Sequence, residues 1–379
     1  MKRGLFYCQH LGGIGHLTSG LSLSRELVKS YEIDFLQGGS DVGLTFESPY
    51  FHHYYLPPIT REITSNSTEK QLIAKFKSRA GSIFQIVEPQ TYDFMFIEGF
   101  PFGKYRFSPE IIPIINTVKK NNPNCLICCS TKGFNREELP RLPLRALREY
   151  YDIDRRTFEA VRDYFDVIFM HSDPDVIKLE DVYLVPEDFN AKLIYTGFTM
   201  NKPKVRQSVT RKNLILAVCG SGHFGAPIMV AAWKLSAMMT DYDFILSTGQ
   251  MMDPKIVEKL KQNPDSGNVE FVSFIHDFHH KLHESKLVIS MGGTTLFDLY
   301  ETKTPGIVFP YGGPPDQTIL ARKFAERGLV TYLNKEDLLS TEKLKRLALE
   351  TIEQPYPDVA INTNGTVNTK KKLDELLSI

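Results

Sequence analysis

Short apolar runs alternate with amphipathic stretches along the whole chain. In the first half the runs are Lys2 to Gln9, Ile33 to Leu36, Tyr92 to Glu98, Cys125 to Ser130, Val167 to His171 and Leu193 to Phe198. In the second half they are Leu214 to Cys219, Phe244 to Ser247, Val269 to Phe274, Leu287 to Met291, Gly306 to Pro310 and Val330 to Leu333. Near-continuous apolar runs of this length are the pattern of strands buried on both faces. Helical spacing fills the gaps: Leu17, Leu21, Leu23, Leu27 and Val28 mark a helix over Leu17 to Ser30. Similar stretches predict helices over Thr68–Val87, Ser108–Asn121, Pro227–Met239, Thr318–Arg327, Thr341–Gln354 and Thr369–Leu377. Strands alternating with helices predict an α/β protein with parallel sheets.

Three strand ends run into glycine turns that precede helices: Gly12-Gly13-Ile14-Gly15-His16, Gly220-Ser221-Gly222 and Gly292-Gly293-Thr294-Thr295. A strand, a glycine turn and a helix start gather free backbone N–H groups and the positive end of a helix dipole at one point, which suits an anion. Thr294 and Thr295 are placed to cap a helix beginning near Leu296, with Asp298 one turn into it at ribose range. Asp316 and Gln317, carried to the same sheet edge by a Gly-Pro loop, suit hydroxyl groups. A full dinucleotide fingerprint is missing, since Gly13-x-Gly15 lacks the third glycine and no clear ribose acid follows. Met200 to Lys212 is polar, basic and aperiodic, and reads as a linker.

The segment Gly292 to Gln317, with Thr295, Asp298 and Pro305 at their spacings, resembles the donor motif of GT-B nucleotide-sugar glycosyltransferases of the family 28 group. That resemblance implies two Rossmann-like domains facing across a cleft: residues 1–199 for the acceptor, a linker at 200–212, and 213–355 for the nucleotide-sugar donor. A final segment, 356–379, would cross back to the first domain. It further implies that the Gly220–Gly222 and Gly292–Thr295 amides meet the diphosphate, that Asp298 meets the ribose, and that Asp316 and Gln317 meet the sugar. The corner after Phe274 would receive uracil on the backbone of Ile275. The first turn, Gly12, Gly13 and Gly15, resembles the family's acceptor-side loop and makes His16 the general base. Glu98, ending its strand, would orient that histidine. Asp298 stands where the family usually has Glu, and Glu98 where it usually has Asp.

Composition narrows the reading. The 45 basic and 45 acidic residues cancel, which leaves no global field for nucleic acid. No run approaches the ~20 apolar residues of a membrane span, so a cytoplasmic protein is expected, with membrane association an option. The Arg136 to Tyr151 stretch could touch anionic lipid, although a solvated helix face is the simpler reading. Cys125-x-x-Cys128 lies in an apolar run and reads as buried thiols. His276, His279, His280 and His283 share one face if helical, but no acid or Cys pattern supports a metal there. Residues 49–67 read as a long ligand-face loop, with a short strand at His52-His53-Tyr54-Tyr55. The expectation is a metal-independent, inverting glycosyltransferase that uses a nucleotide sugar, most simply a UDP-sugar, and no cofactor. Its rivals are an epimerase or hydrolase on the same scaffold, and a non-catalytic binding module.

Overall fold

The computed structural model describes residues 1–11, 15–132, 136, 138–141, 144–200, 209–220, 224–262, 268–312 and 315–378, apart from the side chains of 140, 144–148, 190 and 191. The chain forms two compact units: Met1–Asn201 with Ile361–Ile379, and Lys202–Ala360.

The first unit runs β1 (Lys2–Gln9), α1 (Gly15–Leu27), β2 (Tyr31–Gly38), β3 (Phe51–Tyr55), α2 (Arg61–Asn66), α3 (Glu69–Val87), β4 (Phe94–Glu98), α4 (Ser108–Asn121), β5 (Leu126–Thr131), α5 (Leu144–Tyr164), β6 (Val167–Met170) and β7 (Leu193–Tyr195). Its strands pair in the order β3-β2-β1-β4-β5-β6-β7, all parallel. The chain steps outward from β1 to β3, then returns to the other side of β1 with β4. That reversal opens a crevice beyond the carboxyl ends of β1 and β4.

One face of this sheet is an aromatic row. Phe6 stacks on Phe35 at 5.1 Å and on Phe96 at 5.6 Å, and Phe96 meets Phe169 at 5.5 Å. The other face carries a buried ion pair. Arg79 of α3, fully buried, pairs with Glu110 of α4 and donates to the Tyr7 hydroxyl at 3.0 Å and to Gln9 Oε1 at 2.9 Å. Its Nη1 donates to the Pro57 carbonyl at 3.0 Å in the loop after β3, so the charge is satisfied where water is excluded.

The second unit runs β8 (Lys212–Val218), α6 (Ala226–Met238), β9 (Asp243–Ser247), α7 (Pro254–Lys261), β10 (Val269–Val272), α8 (Phe278–Glu284), β11 (Ser285–Ser290), α9 (Thr295–Thr302), β12 (Gly306–Val308), α10 (Pro315–Ala325), β13 (Thr331–Tyr332), α11 (Lys335–Leu339) and α12 (Thr341–Glu353). The order β10-β9-β8-β11-β12-β13 is again all parallel and again reverses, here between β8 and β11. The last helix, α13 (Gly365–Leu377), belongs to the first unit. Leu373 lies in that unit's core, and Asn368 Nδ2 donates to the Thr196 carbonyl at 2.8 Å.

Several elements differ from the sequence expectations. Residues 201–208 of the expected linker lie outside the described residues, and Arg211, placed in the linker, is tied into the second unit by bonds to the Ser285 carbonyl at 2.6 Å and the Lys303 carbonyl at 2.7 Å. The 49–67 stretch contains α2 as well as β3, because Thr60 caps Ile63 N. The helix expected within 136–151 begins at Leu144 and runs on to Tyr164 as α5, since no Gly or Pro interrupts 151–164. Arg136 precedes that helix and is buried, donating to the Val182 carbonyl at 2.8 Å and to Asp154 at 2.6 Å. Of the other arginines in the expected patch, Arg141 is exposed and pairs with Glu138, while the side chains of Arg145 and Arg148 fall outside the described residues. His276 lies before α8, separated from it by Asp277 at φ +51°, so the four histidines do not share a helix face. Among the described residues no three His, Cys, Asp or Glu side chains are grouped to hold a metal, and all five cysteines are buried and unpaired.

Removing one member of the Arg79–Glu110 pair leaves the other buried and uncompensated. Arg79→Ala is expected to lower unfolding free energy by about 3–5 kcal/mol in a urea titration; a loss below about 1 kcal/mol would show that the pair does not anchor α3 and α4 to the sheet.

Candidate active site

In the first unit the sheet reversal brings His16 and Glu98 together. His16 is the second residue of α1, which follows β1, and Glu98 is the last residue of β4. His16 Nδ1 lies 2.5 Å from Glu98 Oε1. The imidazole side chain is 51% exposed and the carboxylate only 8%, so the histidine presents itself to a ligand while the acid stands behind it. With Nδ1 engaged by the carboxylate, Nε2 is the nitrogen left to take a proton from outside.

Glu98 has a second partner that the sequence did not reveal. Gly99 has φ +76°, a conformation that favours glycine, and the Gly103 amide closes a turn on the Gly99 carbonyl at 2.8 Å. That turn returns Lys104, whose ammonium pairs with the Glu98 carboxylate and donates to the Glu98 carbonyl at 3.2 Å. A Cβ on Gly99 would lie 3.2 Å from the Lys104 side chain, so the close approach depends on glycine. Burial alone would raise the Glu98 pKa, but the charges and hydrogen bonds of His16 and Lys104 outweigh it and hold the group far below the carboxylate range. Glu98 is therefore ionised at neutral pH.

Beside it, a neutral network closes the next strand ends. Ser130, the register partner of Glu98, lies 2.8 Å from His171 Nε2, and His171 Nδ1 lies 2.9 Å from Thr196 Oγ1. Burial pushes the His171 pKa down to about 3, so its ring stays uncharged. His10, at the exit of β1, is also buried, and burial lowers its pKa. Gly15 opens α1, with space around its Cα, while Gly12 and Gly13 lie outside the described residues.

In the second unit the reversal gathers the other expected residues. Gly220, at φ +59°, leaves β8; Ser221 and Gly222 lie outside the described residues. Beyond β11, Gly292 and Gly293 have φ +85° and +66°. The Gly292 amide donates to Ser290 Oγ at 3.2 Å. The amides of Gly293, Thr294 and Thr295 have no acceptor among the described residues. The expected threonine cap is not formed. Thr294 has helical angles, φ −65° and ψ −24°, and a hydroxyl folds onto its own helix only from an extended cap residue. The helix start thus keeps its donors open for an outside acceptor.

Gln317, in the first turn of α10, comes back to this point. Its Nε2 lies 3.4 Å from where a Cβ on Gly293 would be, and its Oε1 is buried with no partner among the described residues. Asp316 precedes it on the same turn. Ile275, buried beyond β10, has a backbone N–H and C=O without partners among the described residues. Asp298, in the first turn of α9, meets His279 of α8: Nε2 to Oδ1 is 3.0 Å. The sequence did not pair these two.

The arrangement can do two things. The first unit offers an exposed imidazole backed by an ionised carboxylate, which suits proton abstraction. The second offers open amides, an unpaired glutamine and a carboxylate, which suit an anion flanked by hydroxyl groups.

The family model described as Glycosyltransferase family 28 C-terminal domain matches residues 214–376. The UDP-N-acetylglucosamine–N-acetylmuramyl-(pentapeptide) pyrophosphoryl-undecaprenol N-acetylglucosamine transferase of Bacillus cytotoxicus is 22% identical over 382 residues, covering 96% of this chain and 92% of that protein. A Bacillus cereus transferase of the same description is 28% identical over 138 residues, a match spanning 36% of this chain and only 35% of that relative. Among solved structures, the kitacinnamycin glycotransferase superposes with TM-score 0.66 at 14% identity, covering 99% of each chain. Acinetobacter baumannii MurG superposes with TM-score 0.56 at 13% identity, covering 99% of this chain and 100% of its own. Sequence and structure agree that this chain is a family 28-like glycosyltransferase of the GT-B fold.

Proposed function

We propose that the protein transfers a sugar from a UDP-sugar to an acceptor hydroxyl with inversion, without a metal. The observation that carries the donor side is the open helix start: the Gly293, Thr294 and Thr295 amides and the unpaired Gln317 Oε1 converge beyond β11. The diphosphate takes the amides, which stabilise the charge on the leaving group in place of a cation. Asp298 accepts from the ribose, Asp316 and Gln317 bind sugar hydroxyls, and the Ile275 backbone receives the base. The names of the Bacillus relatives, which specify a UDP-sugar donor, support the choice of nucleotide.

On the acceptor side, His16 Nε2 takes the proton of the attacking hydroxyl. The oxygen attacks the anomeric carbon as the bond to the diphosphate breaks, which inverts the configuration. Glu98 holds the imidazole by Nδ1 and stabilises the imidazolium that forms. Lys104 keeps Glu98 charged and aimed. The pyrophosphoryl-undecaprenol acceptor named for the relatives makes a lipid-linked hydroxyl the first acceptor class to screen, with peripheral contact at a membrane surface. Among the described residues no helix is long and apolar enough to cross a membrane.

Millimolar UDP is expected to raise the melting temperature of the protein, and Gly293→Asp to abolish that shift, while His16→Ala keeps it. An NAD-selective shift with none from any nucleoside diphosphate would overturn the donor assignment. In acceptor-dependent turnover, His16→Ala is expected to lose about 10²–10⁴ in kcat, the usual worth of a general base.

Lys104→Met tests the support behind the base. A carboxylate with a depressed pKa stabilises the fold above its unfolded value and loses that contribution as pH falls toward the folded one. The variant is expected to lose about 3–5 kcal/mol at pH 7 in urea titrations. Its deficit should shrink as the pH falls below about 4.3, the unfolded glutamate value. A deficit independent of pH would contradict the assignment of Lys104 to the Glu98 charge.

A further inference from the structure

The acid expected at the ribose is one methylene shorter here than the Glu usual in the resembling family, and it does not stand alone. Asp298 Oδ1 is engaged by His279 Nε2 at 3.0 Å, while Oδ2 has no partner among the described residues. The two side chains are 18% and 33% exposed, so the pair lies at the surface of the second unit, where a ligand can reach it. His279 is in the first turn of α8, four residues after Ile275, and Asp298 is in the first turn of α9, whose leading amides are open. Helices α8 and α9 pack on each other. The hydrogen bond therefore links the element after β10, assigned to the base, to the element after β11, assigned to the diphosphate.

We propose that His279 is a positioning residue for the donor: it holds Asp298 Oδ1 so that Oδ2 accepts a ribose hydroxyl of the nucleotide. The inference rests on the donor assignment above and deepens it. A carboxylate on a short side chain reaches less far and leaves two rotatable oxygens to be ordered by the ligand. Fixing one oxygen beforehand removes that ordering cost from binding. The hydrogen bond to Asp298 and its charge raise the His279 pKa against the opposing effect of burial, which matches an imidazole that donates to a carboxylate. The charged neighbours of His279 are Asp298 on α9, Asp277 just before α8, and His280 and His283 on its own helix.

The test is UDP binding by calorimetry to the full-length protein and to His279→Ala, Asp298→Ala, Asp298→Glu and the double variant His279→Ala/Asp298→Glu. His279→Ala is expected to weaken UDP about tenfold, the worth of one charge-assisted hydrogen bond. Asp298→Glu alone should also weaken UDP, because the longer acid crowds the imidazole. The double variant should return to within about threefold of the parent, because the longer acid reaches the ribose without a prop. His279→Gln, which keeps an N–H donor, should lie between the parent and His279→Ala and serves if the alanine variant fails to fold. Two results would overturn the inference: UDP affinity unchanged in His279→Ala while Asp298→Ala weakens it, or losses that simply add in the double variant. Absence of UDP binding by the parent itself would instead defeat the donor assignment, so the two failures are distinguishable.

Discussion

Each sheet is parallel throughout and reverses its strand order once, and the chemistry follows from that constraint. A parallel strand pair requires a crossover, and right-handed crossovers place successive strands outward on one side. When the chain returns to the other side of its first strand, the loops beyond the two central strands part and leave a crevice. In the first unit those strands are β1 and β4, and the residues beyond them are His16 and Glu98. In the second they are β8 and β11, and the residues beyond them are Gly220 and the Gly292–Thr295 turn. The same topological feature thus sets an exposed imidazole backed by a carboxylate in one unit and a helix start with open amides in the other. The difference between them lies in the few side chains and amides set at the strand ends.

The two sites also differ in how they handle charge. In the first unit a buried carboxylate is held between the Lys104 ammonium and the His16 imidazole, and its energy depends on both. In the second, backbone donors are left unsatisfied at a helix start, beside a glutamine oxygen that is buried and unpaired. An unpaired buried polar atom is costly, and the Gln317 oxygen calls for a partner that the described residues do not supply.

Much of this was legible in the sequence because it is local. A buried strand, a glycine turn and an amphipathic helix lie within about 15 residues of one another, and periodicity reports them directly. The turns at Gly220 and Gly292, the helix bearing Asp298 and the return of Gln317 could all be read from spacing. What could not be read depends on contacts between distant positions. Lys104 reaches Glu98 because Gly99 turns the chain with positive φ, and nothing in the composition of that loop announces where its lysine points. His279 and Asp298 come from different helices, and the shared helical face expected for the four histidines is broken at Asp277. The threonine cap failed for a conformational reason: Thr294 adopts helical angles, which sequence preference alone does not fix.

The central claim is that the nucleotide diphosphate sits on the helix start beyond β11 in the second unit. A crystal structure of the protein with UDP tests it most directly. The account predicts diphosphate oxygens within about 2.7–3.2 Å of the Gly293, Thr294 and Thr295 amides, with the base on the Ile275 backbone. A nucleotide bound instead at the turn between β1 and α1, with the β11–α9 amides left open, would contradict it.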